Sequence, residues 1–310
     1  MKRDLVSFAL WSSDQLHELL ALSRRYARRE RDVVPPFRGR NVALVFERES
    51  LRTHVAFEVG IVDLGGHPIF LHQSDIGMAA RESVHDIASV LSQYVSLIVA
   101  RTVRHQTCLQ LAESASVPVI NALTDLVHPC QVLADVLTLQ EAGRFSPSTR
   151  VVYVGNGTSI ANSWLEIAAK LPFSLTLACP SGYGPHPQLL QEAERAGVST
   201  VRMVEDPAEA VRDAEVVYTD VWPLDRSVGG EKRPSVFGPY QVNRKLLRLA
   251  RKECLVMHRL PANRGEEITG EVLDGKQSVV LAQAANRVPV HKAVMRMLLG
   301  AQGGVHSKGQ

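Results

Sequence analysis

Short apolar runs rich in β-branched residues alternate along the chain with longer segments in which apolar positions recur at helical spacing. Such alternation is typical of an α/β protein with mainly parallel strands, because parallel neighbours must be joined by a crossover helix. The runs form two series. Strands are predicted over 41–46, 68–71, 97–100 and 118–121 in the first, and over 150–154, 174–179, 200–204, 216–220, 254–258 and 278–281 in the second.

Helices are predicted between the strands and at both ends of the pattern. One helix, over 129–142, joins the two series, with Pro129 at its start and Gly143 directly after its end, as helix termini prefer. We expect the domain boundary there. The fold class predicted is α/β, with two domains that each contain a mainly parallel sheet flanked by helices. The other main helices are predicted over 16–30, 52–64, 81–93, 106–114 and 290–299.

The composition narrows the class of protein. The 310 residues suffice for two domains of about 150 residues each. With 45% hydrophobic and 22% charged residues, the chain is expected to fold and to be neither disordered nor a coiled coil. The 35 basic and 32 acidic residues are dispersed and give a net charge of only +3, so a small-molecule partner is favoured over nucleic acid.

The cysteines and the apolar runs exclude several other classes. Cys108, Cys130, Cys179 and Cys254 lie far apart, with no C-x-x-C pair, so neither a zinc site nor a disulfide framework is expected. No apolar run approaches the roughly 20 residues that span a membrane, and no secretion signal is recognised. We expect a cytoplasmic protein without membrane contact.

Polar residues concentrate directly after the predicted strands, where ligands bind in open parallel sheets. After the first strand, Ser50, Arg52 and Thr53 are predicted to lie at the start of a helix. Backbone amides, hydroxyls and a guanidinium at that position suit a phosphate group. An ordinary serine N-cap followed by a surface arginine is the alternative interpretation.

Further polar residues follow the third and fourth strands. Arg101 ends the third strand, and His128 and Gln131 lie one helical turn apart after the fourth. Taken singly, His128 fits a capping or packed histidine as well as a catalytic one. The convergence of arginines, hydroxyls, a histidine and a glutamine on one sheet favours a binding site. The set lacks a paired nucleophile and base, so covalent catalysis is not expected.

The second series contains a glycine loop between a strand and a helix, at 154–160. A dinucleotide site is not favoured there, because Ile160 replaces the third glycine and the next strand lacks the acidic partner of the ribose. A tight turn near a substrate is the better interpretation. Asp220, after the fourth strand of this series, suits either a cationic ligand or a helix cap, and Trp222 suits packing.

Taken in order, these segments resemble the aspartate and ornithine carbamoyltransferase family, most closely its ornithine branch, over almost the whole chain. Several rare strings in the right order carry the resemblance. They are Phe46-Glu47-x-x-Ser50-x-Arg52-Thr53, Leu64-Gly65-Gly66-His67, His128-Pro129-x-Gln131, Leu133-Ala134-Asp135, Tyr218-Thr219-Asp220-Val221-Trp222, Tyr240-Gln241-Val242-Asn243 and Leu260-Pro261-Ala262.

The resemblance implies transfer of a carbamoyl group from carbamoyl phosphate to an amine, giving a ureido product and phosphate, without a cofactor or metal. It implies a carbamoyl phosphate domain over 1–134 with 290–310, and an acceptor domain over 135–289. It also implies a homotrimer with shared active sites, in which the 77–83 loop with Arg81 reaches the neighbouring subunit.

The resemblance also implies the roles of individual residues. Thr53, Arg101 and His128 would stabilise the oxyanion that forms on attack, Arg52 would hold the leaving phosphate, and a phosphate oxygen would accept the amine proton. Carbamoyl phosphate would be bound by Ser50, Leu51 through its backbone, Arg52, Thr53, Arg101, His128, Gln131 and Arg287. The acceptor would be bound by Ser159, Asp220, Leu224, Asp225, Arg259 and Leu260.

The acceptor side departs from the ornithine pattern at several positions. The family's Asp-x-Trp-x-Ser-Met-Gly is here 220–226, with Leu224 and Asp225 at its Ser-Met, and the family's His-Cys-Leu-Pro has Arg259 in place of cysteine. The asparagine pair after the glycine loop is Thr158-Ser159, and two acidic residues of the family's Asp-Gln-Ala-Glu-Asn-Arg are alanines within 282–287.

These departures predict an acceptor amine other than free ornithine, such as a shorter, derivatised or peptide-linked diamino acid. The alternatives are an ornithine carbamoyltransferase that makes citrulline, with Arg259 pointing away, and a non-catalytic relative that binds carbamoyl phosphate. Arg259 itself has two interpretations. It pairs with an acceptor carboxylate or with Asp220 or Asp225, or it lowers the pKa of the acceptor amine.

Overall fold

The computed structural model describes residues 2–30, 32, 34–76, 82–223 and 235–300. The chain forms two compact units, one containing the residues up to Leu133 and those from Asn286 onward, the other containing Ala134–Ala285. In chain order the elements are α1 (Ser13–Ala27), β1 (Asn41–Phe46), α2 (Leu51–Asp63), β2 (His67–His72), α3 (Gln73–Ile76), α4 (Val84–Tyr94), β3 (Leu97–Arg101), α5 (His105–Ser114), β4 (Val119–Leu123), α6 (Pro129–Glu141), β5 (Arg150–Val154), α7 (Ser159–Ala168), β6 (Ser174–Ala178), α8 (Pro187–Ala196), β7 (Thr200–Val204), α9 (Pro207–Ala210), β8 (Val216–Thr219), a 3₁₀ helix (Ser235–Tyr240), α10 (Arg244–Leu247), β9 (Leu255–Met257), α11 (Gly270–Leu273) and α12 (Val280–Gly300).

The first unit contains a four-stranded parallel sheet in the order β2-β1-β3-β4. The strand β1 lies between two neighbours, and its residues from Val42 to Phe46 are all buried. A parallel strand covered on both faces reads as such a continuous apolar run. The register places Phe46 opposite Arg101 and Arg101 opposite Leu123, so the loops after β1, β3 and β4 leave the sheet at one edge.

The second unit contains a five-stranded parallel sheet in the order β7-β6-β5-β8-β9. Its helix α7 is buried along its whole length. Aromatic rings fill the space beside the central strands: Tyr153 stacks on Tyr218 with ring centroids 5.8 Å apart, and Trp164 meets Tyr218 edge-on at 6.1 Å. Such pairs add stability beyond the area they bury.

The predicted fold class is confirmed, since both units contain parallel sheets flanked by helices. The predicted strand over 278–281 is wrong: Ser278 forms a single bridge to Val256, and α12 begins at Val280. The predicted helix over 290–299 is too short for the same reason. Pro289 lies inside α12, where a proline removes one backbone hydrogen bond of the helix.

The described residues contain no helix that is long and apolar enough to cross a membrane. All four cysteines are buried and free. Burial raises the pKa of each of these thiols to about 12, so they stay protonated at neutral pH.

The glycine loop after β5 depends on its two glycines for different reasons. Gly155 has φ of +119°, a conformation that side chains other than glycine rarely adopt. Gly157 donates its N–H to the carbonyl of Tyr183 at 2.8 Å, and a Cβ on it would lie 2.3 Å from backbone atoms of Gly184 and Pro185. The second glycine is therefore required by close packing of two loops of the protein.

Replacing Gly157 with alanine tests this packing. We expect Gly157→Ala to lower the free energy of unfolding by about 1–3 kcal/mol, because backbone atoms of 184–185 must move to admit the methyl group. Gly238→Ala is the matched control, since a Cβ there meets nothing within 4 Å. Urea denaturation measures the free energy of unfolding of both variants. Equal values for the two would contradict the close approach of Gly157 to the backbone of 184–185.

Candidate active site

The first set of candidate side chains lies where β1, β3 and β4 end. The backbone ties the loops after β1 and β3 together, because the N–H of Glu47 donates to the carbonyl of Arg101 at 2.9 Å. The N–H of Val103 in turn donates to the Glu47 carboxylate at 2.5 Å. Glu47 thus fixes the segment that leads from β1 to the start of α2, a role that its place in the motif did not predict.

The start of α2 is built around Ser50 and Thr53. Ser50 is the N-cap of the helix, and its hydroxyl donates to Thr53 Oγ1 at 2.9 Å. Arg287 on α12 donates to the same Thr53 oxygen at 2.7 Å. An hydroxyl oxygen has two lone pairs and one proton, so these two bonds leave the Thr53 proton to be donated to another acceptor. A bound oxyanion would supply that acceptor.

The other residues of this helix start differ in burial. Thr53 and Arg287 are buried, at 1% and 4% exposure, and Arg52 is half-buried. The side chain of Leu51 is 73% exposed, which leaves its backbone as the part that can contribute to a site at the helix start. The first N–H groups of a helix have no partner inside the helix and carry its positive dipole, which suits an anion.

His128 and Gln131 bring two further buried polar side chains to the first unit. His128 directly precedes α6, and its carbonyl accepts the N–H of Gln131 at 3.1 Å. Their exposures are only 2% and 1%. Between them, burial raises the pKa of Cys130 to about 12, and the positive charge of Arg287 opposes this rise in part. The positive charge of Arg287 therefore acts on the His128–Gln131 turn.

A histidine beside Arg287 was not singled out from the sequence. His291 lies one helical turn after Arg287 on α12 and stacks on Phe57, with ring centroids 3.7 Å apart. Burial and the positive charge of Arg287 lower the pKa of His291 well below its usual value, so the ring is neutral at neutral pH. His291 therefore packs on Phe57 as a neutral ring and adds no further positive charge.

The second set lies in the other unit and is centred on Asp220, directly after β8. Asp220 is fully buried, and Arg259 donates Nε–H to both of its carboxylate oxygens at 2.8 Å. The Thr158 hydroxyl donates to Asp220 Oδ2 at 3.2 Å. Burial alone lowers the pKa of Arg259, but the charge of Asp220 and the hydrogen bond between them outweigh it and raise the pKa.

The residues on either side of Arg259 are held by a buried network. His258 Nδ1 accepts the N–H of Leu260 at 2.9 Å, so the ring proton is on Nε2, which lies 3.0 Å from Glu267 Oε1. The same Glu267 oxygen accepts the N–H of Asn263 at 2.7 Å. His258 and Glu267 are fully buried. Leu260 has φ of 57°, a strained conformation for a residue with a side chain, and the network holds it there.

Gln283 joins this network to a second acidic residue. Its Oε1 accepts the N–H of His258 at 3.0 Å, and its Nε2 donates to Asp135 Oδ1 at 2.8 Å. These contacts are not predictable from the motifs that contain the residues, because the partners lie far apart in the chain. Thr158, Glu267 and Gln283 are the supporting residues that sequence reasoning did not assign.

The structure brings most of the predicted residues into these two sets. Thr53 contacts both Ser50 and Arg287 directly, and Arg101 ends the strand beside β1. In the second set, Asp220 and Arg259 pair directly. Arg259 thus turns toward Asp220 and does not point away from it. Ser159 is buried at the start of α7, and within the part of the chain that the structure describes it is the neighbouring Thr158 that donates to Asp220. The predicted residues Leu224, Asp225 and Arg81 lie outside the described residues.

The fold and the side chains of the first set define an α/β protein with a site suited to a phosphate-like oxyanion. Comparison with known proteins identifies the family. The model of the carbamoyl-P binding domain of aspartate/ornithine carbamoyltransferase matches residues 3–141, and that of its Asp/Orn binding domain matches residues 148–298. The chain belongs to the aspartate/ornithine carbamoyltransferase family and is a carbamoyltransferase, as its motifs predicted.

Individual relatives agree with this assignment. The ornithine carbamoyltransferase of Chlorobaculum tepidum is 45% identical over 307 residues, which cover 96% of this chain and 90% of that protein. The crystal structure of the Thermus thermophilus ornithine carbamoyltransferase has a TM-score of 0.87 and 41% identity, covering 96% of this chain and 99% of its own. For the Pyrococcus furiosus enzyme the TM-score is 0.90 and the identity 37%, covering 96% and 97%.

Removing Glu267 tests the network around Arg259. We expect Glu267→Ala to lower the free energy of unfolding by about 2–4 kcal/mol, because it leaves the buried His258 Nε2–H and the partly buried N–H of Asn263 without this acceptor. The control is Glu253→Ala at an exposed position of the same unit, with an expected change within about 0.5 kcal/mol. Urea denaturation separates the two, and an equally small loss for Glu267→Ala would show that the network is not a stabilising one.

Proposed function

We propose that this carbamoyltransferase transfers the carbamoyl group of carbamoyl phosphate to a side-chain amine of an amino acid, with ornithine as the leading acceptor and citrulline as the product. The observation that carries the proposal is the Ser50–Thr53–Arg287 cluster at the start of α2, which offers a hydroxyl proton and helix amides to an oxyanion. Ornithine is favoured because proteins named ornithine carbamoyltransferase are 40–46% identical to this chain. Family membership also supports a homotrimer.

The chemistry assigns a task to each proposed residue. The neutral acceptor amine attacks the carbamoyl carbon, and the carbonyl oxygen becomes an oxyanion as the new C–N bond forms. Thr53, Arg101 and His128 donate to that oxyanion, which is where preorganised donors contribute most to catalysis. The tetrahedral intermediate then collapses as the C–O bond to phosphate breaks.

The leaving group completes the balance of the reaction. Phosphate departs with the electron pair of the broken C–O bond, and one of its oxygens takes the proton released by the amine. Ser50, the backbone of Leu51 and the Arg52 guanidinium hold this dianion at the start of α2, where the helix dipole is favourable. Gln131 and Arg287 orient the carbamoyl end. The proposed residues supply binding, orientation and charge stabilisation, and the phosphate itself serves as the base.

A different acceptor is the second candidate, and one observation favours it. The carboxylate of Asp220, which in the family would meet the α-amino group of the acceptor, is occupied on both oxygens by Arg259. The ornithine pattern has cysteine in place of Arg259. An acceptor whose α-amino group is acylated or peptide-linked would need no free Asp220 carboxylate.

Carbamoyl phosphate offered with a panel of amines tests the function. The panel contains ornithine, 2,3-diaminopropionate, 2,4-diaminobutyrate, lysine, putrescine, aspartate and N-acylated diamines. We expect phosphate release matched by a ureido product of ornithine, measured by a phosphate assay and mass spectrometry. Preferred turnover of another amine would establish the second candidate. Stabilisation of the protein by carbamoyl phosphate without a ureido product from any amine would contradict both and indicate a binding protein.

Replacing Thr53 tests the residues assigned to the oxyanion. Thr53→Val keeps the shape of the side chain but removes the hydroxyl that accepts from Arg287 and donates to the substrate. We expect kcat/KM for carbamoyl phosphate to fall about 10²–10³-fold, the usual cost of one oxyanion donor. Thr200→Val at an exposed position of β7 is the control, with unchanged kinetics expected. If Thr53→Val lowers kcat/KM by less than threefold, Thr53 does not stabilise the oxyanion.

A further inference from the structure

The pair formed by Asp220 and Arg259 has two unlike sides. Asp220 is completely buried, whereas 20% of the Arg259 side chain is exposed. A molecule that approaches the pair therefore meets the guanidinium and not the carboxylate. The exposed side of this neutral pair is positive.

The hydrogen bonds of Arg259 leave most of its donors unused. A guanidinium has five N–H donors, and only Nε–H is engaged, shared between the two oxygens of Asp220 at 2.8 Å. Among the described residues, no hydrogen bond is formed by the two terminal nitrogens of Arg259. These nitrogens form a planar fork that matches the two oxygens of a carboxylate.

The surroundings hold that fork in place. Leu260 and His258, the two chain neighbours of Arg259, are fixed by the bonds to Glu267 and Gln283. Asp220 fixes the guanidinium itself through Nε. A preorganised arginine loses little conformational entropy when an anion binds, which makes it an efficient recognition group.

We propose that the terminal nitrogens of Arg259 bind the free carboxylate of the acceptor, so that the acceptor is recognised by its carboxylate and not by an α-ammonium group on Asp220. This inference rests on the proposed function, since it concerns the acceptor of the same reaction. An α-ammonium group near Arg259 would meet a like charge and a carboxylate already neutralised. The substrate class is therefore an amine-bearing amino acid with a free carboxylate, whose α-amino group can be acylated.

Two matched pairs of acceptors test the inference in the wild-type enzyme. The first pair is ornithine, or whichever diamino acid the panel identifies, and the diamine that lacks its carboxylate. The second pair is the same diamino acid with and without an α-N-acetyl group. We expect loss of the carboxylate to lower kcat/KM about 10–100-fold, the range for a charge-assisted hydrogen-bonded pair, and α-N-acetylation to change it less than fivefold.

Arg259→Met then assigns the preference to this residue. We expect the variant to lose the 10–100-fold preference for the carboxylate-bearing acceptor over the diamine. Because Asp220 would be left buried and unpaired, the double variant Asp220→Asn, Arg259→Met provides the same comparison without that charge. Arg248→Met, at an exposed arginine of the same unit, is the control, with no change expected for either acceptor.

The possible outcomes separate the inference from the function on which it rests. If Arg259→Met lowers kcat/KM equally for the diamino acid and for the diamine, Arg259 only stabilises Asp220. That result would overturn the inference. Faster turnover of ornithine by Arg259→Met would also overturn it, since Asp220 would then be the recognition group released by the mutation. Absence of a ureido product with every acceptor in the wild-type enzyme would instead overturn the proposed function.

Discussion

A charge buried in a protein needs a partner, and this requirement shapes both candidate sites. In the second unit, the fully buried Asp220 is paired with Arg259, and a network through His258 and Glu267 holds the loop that carries the arginine. In the first unit, the buried Arg287 donates to Thr53 at the start of α2. Taking such a charged group out of water costs several kcal/mol. A buried charge is therefore found only where the protein or a bound ligand provides a partner for it.

Much of the fold is predictable from the sequence, because a strand that is covered on both faces is a continuous run of apolar residues. The strands over 41–46, 150–154 and 200–204 have the observed bounds. The two errors are at the C-terminal end of the chain. The local pattern predicts a strand over 278–281 and a last helix that starts only at 290, because neither local signal reports the tertiary contacts that extend α12 back to Val280.

For the candidate site, the sequence predicts the types of residue that are present but not the contacts between them. Motif order identified the family and the residue types after each strand, but the contacts that fix their orientation join residues far apart in the chain. Thr158 on Asp220, Glu267 on His258, and Gln283 between His258 and Asp135 are such contacts. Arg259 pairs with the buried Asp220 and stays partly exposed, which is the contact on which the proposed recognition of the acceptor depends.

In the proposed reaction, the carbamoyl carbon moves from phosphate to the amine of a carboxylate-bearing acceptor. The most direct measurement is ¹³C and ³¹P NMR of the enzyme with ¹³C-labelled carbamoyl phosphate and the acceptor. We expect the label to appear in a ureido group in step with an equal amount of inorganic phosphate. Label that appears only in carbonate, with phosphate released and no ureido signal, would contradict the account.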